Sequence, residues 1–370
     1  MIDYLFLSSS SPAPAMLAKV RIAQEAGRKP MLVYFCRPGD ELVPDLPPDC
    51  VCVAYPVAFT GVSPRRLLVL AGFERWLRKR LYEQVRPKAD CYCETFDMMF
   101  IAMIAGRGRG LRHRFEARDL HALQFGRGLL SILTRLAERW AIPKLHTLVL
   151  TSEKFWEEYY HKYAPRRYVV VENVPRRDHW AGFARQEPDR VFRIGFVGVI
   201  RYYECLVTLV DAVRQLRGEG LPIAVRFAGG GDDLVPLRAY CRGEPEFEFT
   251  GPFAYSHAVQ RIYADLDLIY SVYDSRQTNV RYAMPNKFYE AHIAQIPIMV
   301  AAGTYLESRV RKSGIGIGVP CLEADKVAAA LREAVAGCGW YAAAKEVCER
   351  NLAESYFQQH NRAIHAAVLE

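Results

Sequence analysis

The stretch Met284-Pro-Asn-Lys-Phe-Tyr-Glu290 runs directly into Ala291-His-Ile-Ala-Gln-Ile-Pro-Ile-Met-Val300. Pro285 suits the first turn of a helix, where the N–H that proline lacks would have no partner. Lys287 and Glu290 would then lie three residues apart on one face of that helix. The pattern therefore predicts a helix that is followed by a short buried strand.

The start of a helix offers unpaired backbone N–H groups and a partial positive charge, to which Lys287 adds a full charge. Glu290, one turn further on, can accept hydrogen bonds from hydroxyl groups. A cation and a carboxylate on one helix face suit a sugar nucleotide, with the diphosphate at the helix end and the ribose at the glutamate. The same two residues also fit an ordinary surface ion pair. The order of the other segments decides between these interpretations.

The chain has 370 residues, of which 51% are hydrophobic and 24% charged. That length suits two domains of ordinary size, and the composition is that of a soluble globular protein. The ten cysteines lack the spacing of a disulfide framework, and Cys50/Cys52 and Cys91/Cys93 lack the Cys-x-x-Cys spacing of a zinc knuckle. We therefore expect reduced thiols and no bound metal.

The net charge of +8 is unevenly distributed, because residues 1–190 carry 30 Lys and Arg against 21 Asp and Glu, and the remainder carries 19 against 20. This imbalance indicates an anionic partner for the first half, such as a nucleic acid, an anionic membrane or a polyprenyl-phosphate acceptor. The N-terminus does not have the pattern of a signal peptide, and no apolar stretch approaches the ~20 residues that span a bilayer. We expect a cytoplasmic protein, or one on the cytoplasmic face of a membrane.

In the first half, short apolar strands alternate with amphipathic helices, which predicts a parallel sheet. Residues 64–86 form the most basic of these helices and carry Trp76 among regularly spaced leucines. Such a helix can lie on an anionic membrane. The favoured interpretation is that it packs on the sheet with a solvated basic face.

The segment Phe115-Glu-Ala-Arg-Asp-Leu-His121 places Glu116, Asp119 and His121 just past the carboxyl end of a predicted strand. Ligands bind at that edge in open α/β sheets. An acid at this position could take a proton from an acceptor hydroxyl as a general base. Asp119 could instead be a helix cap or an ordinary loop residue.

The second half repeats the alternation of strands and helices after a polar linker that follows residue 175. A strand ends at Gly198, where the backbone can approach a ligand closely, and Arg201 follows with a guanidinium that suits phosphate. The triple glycine that opens Gly229-Gly-Gly-Asp-Asp233 has no Lys-Ser/Thr behind it, which excludes a Walker-type phosphate loop. We expect two α/β domains, residues 1–175 and 176–353, that face each other across a cleft.

Over nearly its whole length the chain resembles GT-B glycosyltransferases, and in particular the family-4-like enzymes of bacterial polysaccharide and glycolipid biosynthesis. The motifs that carry the resemblance are, in chain order, Phe115-Glu-Ala-Arg-Asp-Leu-His121, Thr151-Ser152, Val171-Glu-Asn-Val174, Phe196-Val-Gly198, Phe227-Ala-Gly-Gly230, Phe249-Thr-Gly251 and Pro285-Asn-Lys-Phe-Tyr-Glu290.

The resemblance implies two Rossmann-like domains and a C-terminal helix, about residues 354–370, that packs back on the first domain. It implies that Glu290 binds the donor ribose and that Lys287 binds the diphosphate or the sugar. Arg201 would be a second diphosphate contact. The remaining donor-binding positions would be Gly198, Phe253 and Asn286.

On the acceptor side the resemblance implies Asp119, which matches an acid that related enzymes place at the acceptor and sometimes use as a base. Glu116 and His121 are further acceptor-side candidates from their place in the same segment, with Glu116 a second candidate for the catalytic acid. Lys287 and Arg201 would stabilise the charge of the departing diphosphate, so neither a metal nor another cofactor is expected. The implied partners are a nucleotide sugar, with a UDP-sugar favoured, and a saccharide or polyprenyl-phosphate-linked acceptor.

The sequence departs from the family pattern at three points. Glu204 and Cys205 stand where Lys-Gly is usual, Tyr282 replaces the first of two glutamates, and the first loop, Ser8-Ser-Ser-Ser-Pro-Ala-Pro14, contains no glycine. Retaining and inverting reactions both stay open. Two alternatives are a sugar-nucleotide epimerase of the same fold and a non-catalytic GT-B-like scaffold. Nucleic-acid binding is disfavoured, because the basic segments lack interleaved aromatic residues.

Overall fold

The computed structural model describes residues 1–37, 48–57, 64–186, 191–350 and 352–370, with side chains left undescribed at 64–67. The chain divides into two compact units. The first comprises Met1–Val171 together with His360–Glu370, and the second comprises Glu172–Gln359. The division falls after Val171, whereas the sequence analysis placed the boundary after residue 175.

The first unit is built on a seven-stranded parallel sheet with the order β3-β2-β1-β4-β5-β6-β7. Its strands are β1 (Ile2–Ser8), β2 (Pro30–Cys36), β3 (Val51–Pro56), β4 (Val85–Cys93), β5 (Arg112–Ala117), β6 (Thr147–Leu150) and β7 (Tyr168–Val170). Its helices are α1 (Pro14–Glu25), α2 (Pro64–Gln84), α3 (Phe96–Ala105), α4 (Ala122–Phe125), α5 (Leu129–Ala141) and α6 (Glu153–Glu158), with 3₁₀ turns at Ile142–Lys144 and Tyr160–Tyr163.

The second unit is built on a six-stranded parallel sheet with the order β10-β9-β8-β11-β12-β13. Its strands are β8 (Phe192–Val197), β9 (Ile223–Ala228), β10 (Phe247–Gly251), β11 (Leu268–Ser271), β12 (Ile298–Ala301) and β13 (Gly316–Val319). Its helices are α7 (Tyr203–Gly218), α8 (Leu234–Tyr240), α9 (Tyr255–Tyr263), α10 (Thr278–Tyr282), α11 (Lys287–Ala294), α12 (Tyr305–Ser313), α13 (Ala324–Val335) and α14 (Gly339–Cys348), and a 3₁₀ turn covers Arg177–Trp180.

These two sheets confirm the predicted α/β class. Both arise from the same feature of the sequence, which is the apolar character of their central strands. The central strands are nearly continuous apolar runs, as expected where helices cover both faces of a parallel sheet. In β1 the five residues from Tyr4 to Ser8 are all buried. In α7 the apolar residues that recur at helical spacing are buried as well, namely Leu206, Leu209, Val210, Val213 and Leu216.

The last helix, α15 (Ala353–Leu369), belongs to both units. Its C-terminal residues Ile364 and Val368 lie in the core of the first unit, and Tyr4 Oη donates a 2.7 Å hydrogen bond to Val368 O. Its N-terminal half belongs to the second unit, where the Tyr356 ring packs against His292. Among the residues described here, no helix is both long and apolar enough to cross a bilayer.

Two expected positions require correction. The helix after Met284 begins at Lys287, with Asn286 as its N-cap, so Pro285 precedes the helix instead of lying in its first turn. Glu116 lies inside β5 and not beyond its end, because β5 extends to Ala117 to pair with β6. Only Asp119 and His121 follow that strand.

Candidate functional site

In both sheets the strand order reverses beside the first strand, and ligands of doubly wound folds bind at the carboxyl ends of the strands at such a reversal. In the second unit the reversal lies between β8 and β11. The loop after β8 contains Gly198 and Arg201, and the loop after β11 contains Asp274 and Arg276. This edge of the sheet is therefore the candidate site of the second unit.

Two glycines hold the loops of this edge close together. Gly229, after β9, has φ +146°, and a Cβ built there would lie 1.7 Å from Gly198 O, so no other residue fits without moving the backbone. Gly198 has φ +139°, and its Cβ would lie 3.7 Å from Lys287 Cε. The predicted donor residues Gly198 and Lys287 are thus neighbours, brought together by the sheet.

The start of α11 carries a buried ion pair. Lys287 Nζ lies 2.5 Å from Glu290 Oε2, and the two residues are 5% and 0% exposed. In the described part of the chain, Glu290 Oε2 is the one acceptor within hydrogen-bond distance of Nζ. An ammonium group carries three donor protons. Lys287 therefore retains donor capacity toward an anion at the start of the helix.

Glu290 has less spare capacity, because it accepts three further hydrogen bonds. Tyr255 Oη and Asn286 Nδ2 donate to Oε1 over 2.7 and 2.8 Å, and Tyr263 Oη donates to Oε2. A carboxylate offers about four lone-pair positions. Protein donors fill them here, so a ribose hydroxyl can bind only by displacing one of these donors.

The four donors differ in how easily they could be displaced. Tyr255 and Asn286 are half-buried, whereas Tyr263 and Lys287 are buried. Burial and the adjacent Glu290 carboxylate raise the pKa of both tyrosines, so both hydroxyls remain protonated donors. The two groups that a ligand could replace are therefore Tyr255 and Asn286.

The other predicted donor residues lie on the loops of the same edge. Arg201 is exposed, three residues beyond Gly198, with its guanidinium carbon 5.1 Å from the centre of the Tyr202 ring. Phe253 follows β10 and packs, half-buried, against the hydrophobic cluster that contains Phe288. The structure thus brings Gly198, Lys287, Glu290 and Asn286 together and leaves Arg201 and Phe253 on adjoining loops.

Sequence reasoning did not anticipate the charged group after β11. Arg276 donates to the buried Asp274 over 2.8 Å and to Glu204, at the start of α7, over 2.6 Å. The Arg276 side chain is 59% exposed. A cation from the β11 loop therefore lies beside Glu204, the residue that departs from the family pattern.

The first unit has its own buried charged cluster near the reversal between β1 and β4. Glu116 Oε2 lies 2.9 Å from Lys19 Nζ and accepts a 2.9 Å hydrogen bond from Tyr92 Oη. Glu94, just after β4, accepts from Ser8 Oγ over 2.8 Å and from Arg118 over 3.2 Å. The predicted acceptor-side residue Glu116 is thus an ion-paired core group.

Burial would raise the pKa of Glu116, but the charges of Lys19 and Arg118 outweigh it and hold this pKa below its ordinary value. Burial does raise the pKa of Glu94, which Arg118 only partly offsets. Asp119 and His121 lie beyond β5 and are exposed, and His121 N donates to Gln124 Oε1 at the start of α4. Glu116 therefore does not share the exposed position of these two residues.

The partners Lys19, Glu94, Tyr255 and Tyr263 were missed from sequence. Lys19 left a usable signal, because it shares the buried face of α1 with Met16, Val20 and Ala23. A lysine at a core position of an amphipathic helix requires a buried acid. Across the described ranges, no group of three or more His, Cys, Asp or Glu side chains is placed to hold a metal ion.

No protein-family model matches the chain, and no curated protein matches its sequence. Its structure is similar to WaaG, a glycosyltransferase involved in lipopolysaccharide biosynthesis, with a TM-score of 0.70, 15% identity and coverage of 99% of this chain and 100% of WaaG. Sucrose-phosphate synthase from Thermosynechococcus elongatus matches with a TM-score of 0.69, 14% identity and the same coverage. Anabaena Alr3699/HepE in complex with UDP-glucose matches with a TM-score of 0.65, 14% identity and again 99% and 100% coverage. Together with the two parallel sheets, these matches show that the chain has the GT-B fold of two Rossmann-like α/β domains.

Proposed function

We propose that the chain is a metal-independent glycosyltransferase. It moves a sugar from a nucleotide sugar, with a UDP-sugar favoured, to a saccharide or polyprenyl-phosphate-linked acceptor in surface polysaccharide or glycolipid assembly. The observation that carries the proposal is the buried pair of Lys287 and Glu290 beside Gly198. The UDP and UDP-glucose bound to Anabaena Alr3699/HepE, a protein of the same fold, support the choice of donor.

The chemistry follows from the charge that develops on the leaving group. As the glycosidic bond to the donor breaks, the nucleoside diphosphate gains negative charge. Lys287 stabilises that charge from a site with little exposure to water, where an ion pair is stronger than in bulk solvent. The exposed Arg201 adds a second cation on the loop after β8 and can bind two phosphate oxygens.

Glu290 has two roles in this proposal. It holds the Lys287 ammonium in place through the 2.5 Å hydrogen bond. It also binds the ribose of the donor, which replaces the Tyr255 hydroxyl or the Asn286 amide at Oε1. Lys287 and Glu290 lie one turn apart at the start of α11, so a single helix turn can contact both the diphosphate and the ribose.

The first unit takes the acceptor. Asp119, exposed after β5, deprotonates the acceptor hydroxyl if the reaction inverts the anomeric centre. In a retaining reaction it orients the acceptor. The excess of basic residues in positions 1–190 suits an anionic lipid-linked acceptor and peripheral contact with the cytoplasmic face of a membrane.

Calorimetric titration with UDP tests the donor site directly. Lys287→Met keeps the length of the side chain and removes its charge, so UDP should bind about ten- to a hundred-fold more weakly, as expected for one lost charge-assisted hydrogen bond. The matched control is Lys326→Met, because Lys326 forms an exposed ion pair with Glu323 at the same three-residue spacing. This control should bind UDP as the wild type does.

Thermal unfolding without nucleotide shows whether Lys287→Met is folded, and Lys287→Arg, which keeps the charge, should recover part of the affinity. Equal UDP affinity in the wild type and Lys287→Met would reject the site. A wild type that binds no UDP-, GDP-, CMP- or TDP-sugar would favour a non-catalytic scaffold. Turnover of the donor without an acceptor would instead favour the epimerase.

A further inference from the structure

Helix α5 (Leu129–Ala141) lies with its apolar side outward and its polar side toward the protein. The apolar face consists of Leu129, Leu133, Leu136 and Trp140, which recur at intervals of four, three and four residues and are 46% to 72% exposed. The opposite side carries Ser131 and Glu138, which are 4% and 1% exposed. This is the reverse of the usual arrangement, in which the apolar stripe of a surface helix faces the core.

A network of hydrogen bonds holds α5 in this orientation. Gln124 Nε2, from α4, donates to Glu138 Oε1 over 2.6 Å. Tyr163 Oη donates to Glu138 Oε2 over 2.9 Å, and Tyr159 Oη donates to the same oxygen. Turning the helix to bury its leucines would carry Glu138 away from these donors and leave them unpaired in the interior, a cost that opposes the turn.

The segment that carries the apolar face is positively charged. Arg127, Arg139 and Lys144 are exposed, and the one acidic residue between positions 120 and 146 is the buried Glu138. Lys144 Nζ lies 3.6 Å from the centre of the Trp140 ring. An apolar stripe with a tryptophan, on a segment whose exposed charged side chains are all basic, has the composition of helices that lie in the interface of an anionic bilayer.

We propose that the apolar face of α5 binds the surface of an anionic lipid bilayer. The leucines and Trp140 enter the boundary between headgroups and acyl chains, and Arg127, Arg139 and Lys144 contact the lipid phosphates. Helix α5 would thus make the membrane contact that the proposed function includes. This inference rests on the proposed function only in placing the protein at a membrane. It does not depend on the donor site.

A second copy of the chain fits this face less well. In a twofold-symmetric dimer, the same surface of both copies would meet. The three exposed cations of one copy would then approach those of the other without an exposed acid between positions 120 and 146 to pair with them. Repulsion between these like charges opposes association of two copies, whereas lipid phosphates neutralise the same charges.

The structure also decides between the two interpretations of the basic helix at residues 64–86. In α2 (Pro64–Gln84) the residues Phe73, Leu77 and Leu81 are buried, and the Trp76 ring packs against Phe73. This helix therefore packs its apolar side on its own unit. Of the two interpretations of α2, the structure supports packing on the sheet and not contact with a membrane. The outward apolar face belongs to α5.

Co-sedimentation with large unilamellar vesicles tests the proposal. We expect the full chain to bind vesicles of phosphatidylcholine and phosphatidylglycerol in equal parts and to bind pure phosphatidylcholine far more weakly. Raising NaCl from about 0.1 to about 1 M, which shortens the Debye length from about 10 to about 3 Å, should release it. Leu129→Glu should weaken binding by roughly five-fold or more, the effect of about one unfavourable charge at the surface. Leu129→Glu/Leu136→Glu should remove measurable binding.

The matched control is Leu68→Glu in α2, because Leu68 and Leu129 are 76% and 72% exposed and both variants add one negative charge. It should bind vesicles as the wild type does. Unchanged binding of the double α5 variant, or equal loss in Leu68→Glu, would overturn the proposal, as would equal binding to both lipid mixtures. The proposal would also be overturned if the wild type bound no vesicles, formed a dimer in sedimentation velocity, and lost that dimer on Leu129→Glu substitution. Because UDP titration of the same variants is independent of lipid, a failure here is distinguishable from a failure of the donor site.

Discussion

Lys287 and Glu290 form one buried unit, in which Nζ and Oε2 are 2.5 Å apart across a single turn of α11. From sequence these residues had separate roles, one toward the diphosphate and one toward the ribose. Their contact means that a change at either residue removes the ion-pair partner of the other and frees its side chain to move. Single substitutions at the two positions therefore have non-additive effects.

Phenylalanine substitutions of the two tyrosines that donate to Glu290 should have different effects, one on UDP affinity and the other on the free energy of unfolding. Tyr255→Phe frees a lone pair of Oε1 at a half-buried position, so a ribose no longer displaces a hydrogen bond worth about 1 kcal/mol, and UDP should bind about two- to ten-fold more tightly. Tyr263→Phe removes a buried donor, which should lower the free energy of unfolding by about 1.5–3 kcal/mol with UDP affinity unchanged. Calorimetric titration and urea denaturation measure the two quantities. Weaker UDP binding in Tyr255→Phe would mean that this hydroxyl itself contacts the nucleotide.

The buried pair of Lys19 and Glu116 should behave as a structural ion pair. Lys19→Met leaves the Glu116 carboxylate buried without its cation and should lower the free energy of unfolding by about 3–5 kcal/mol. Adding Glu116→Gln removes the uncompensated charge and should restore at least half of that loss. The control Lys79→Met acts on an exposed pair with Glu83 and should cost less than about 1 kcal/mol in the same urea denaturation. Similar costs at the two lysines would refute the structural role.

His292 should make stability depend on pH below neutrality. Burial, and to a smaller extent the nearby Arg309, lower its pKa from 6.5 to about 4. Between these values the unfolded chain takes up a proton that the folded chain does not, so the free energy of unfolding falls as the pH is lowered, by up to about 3 kcal/mol. In His292→Gln this contribution is absent.

The measurement is urea denaturation of the wild type and His292→Gln at several pH values from 7 to 4. The difference between the two proteins isolates the histidine from the other titrating groups. A difference that stays constant over this range would show that the imidazole keeps its ordinary pKa in the folded protein.

Gly229 should tolerate no side chain, because a Cβ there would lie 1.7 Å from the carbonyl oxygen of Gly198. Gly229→Ala should lower the free energy of unfolding by more than about 3 kcal/mol or prevent folding, since backbone atoms would have to move. Gly218, the last residue of α7, has open space around it and provides the control. Gly218→Ala should change stability little or raise it by about 0.5–1 kcal/mol. Equal melting temperatures of the two variants would contradict the close packing of the loops.

The fold and part of the candidate site could be predicted from sequence, because both depend on local pattern. Alternating apolar strands and amphipathic helices determine two parallel sheets, and helical spacing places Lys287 and Glu290 on one face. The carboxyl edge of a parallel sheet gathers the loops after its strands, which is why Gly198 lies beside Lys287 in the structure. The start of α11 was misplaced by two residues, since proline is compatible with both the first turn and the residues before it.

What the sequence could not show is how each charge is neutralised. It determined that the chain has two α/β domains, a helix with Lys287 and Glu290 on one face, and a basic first half. Only the tertiary structure decided that Glu116 pairs with Lys19, that four donors already occupy Glu290, and that Glu138 turns the apolar face of α5 outward. The physical reason is that helices and strands follow from neighbours a few residues apart, whereas the partner of a buried charge comes from a distant segment that only folding brings within hydrogen-bond distance.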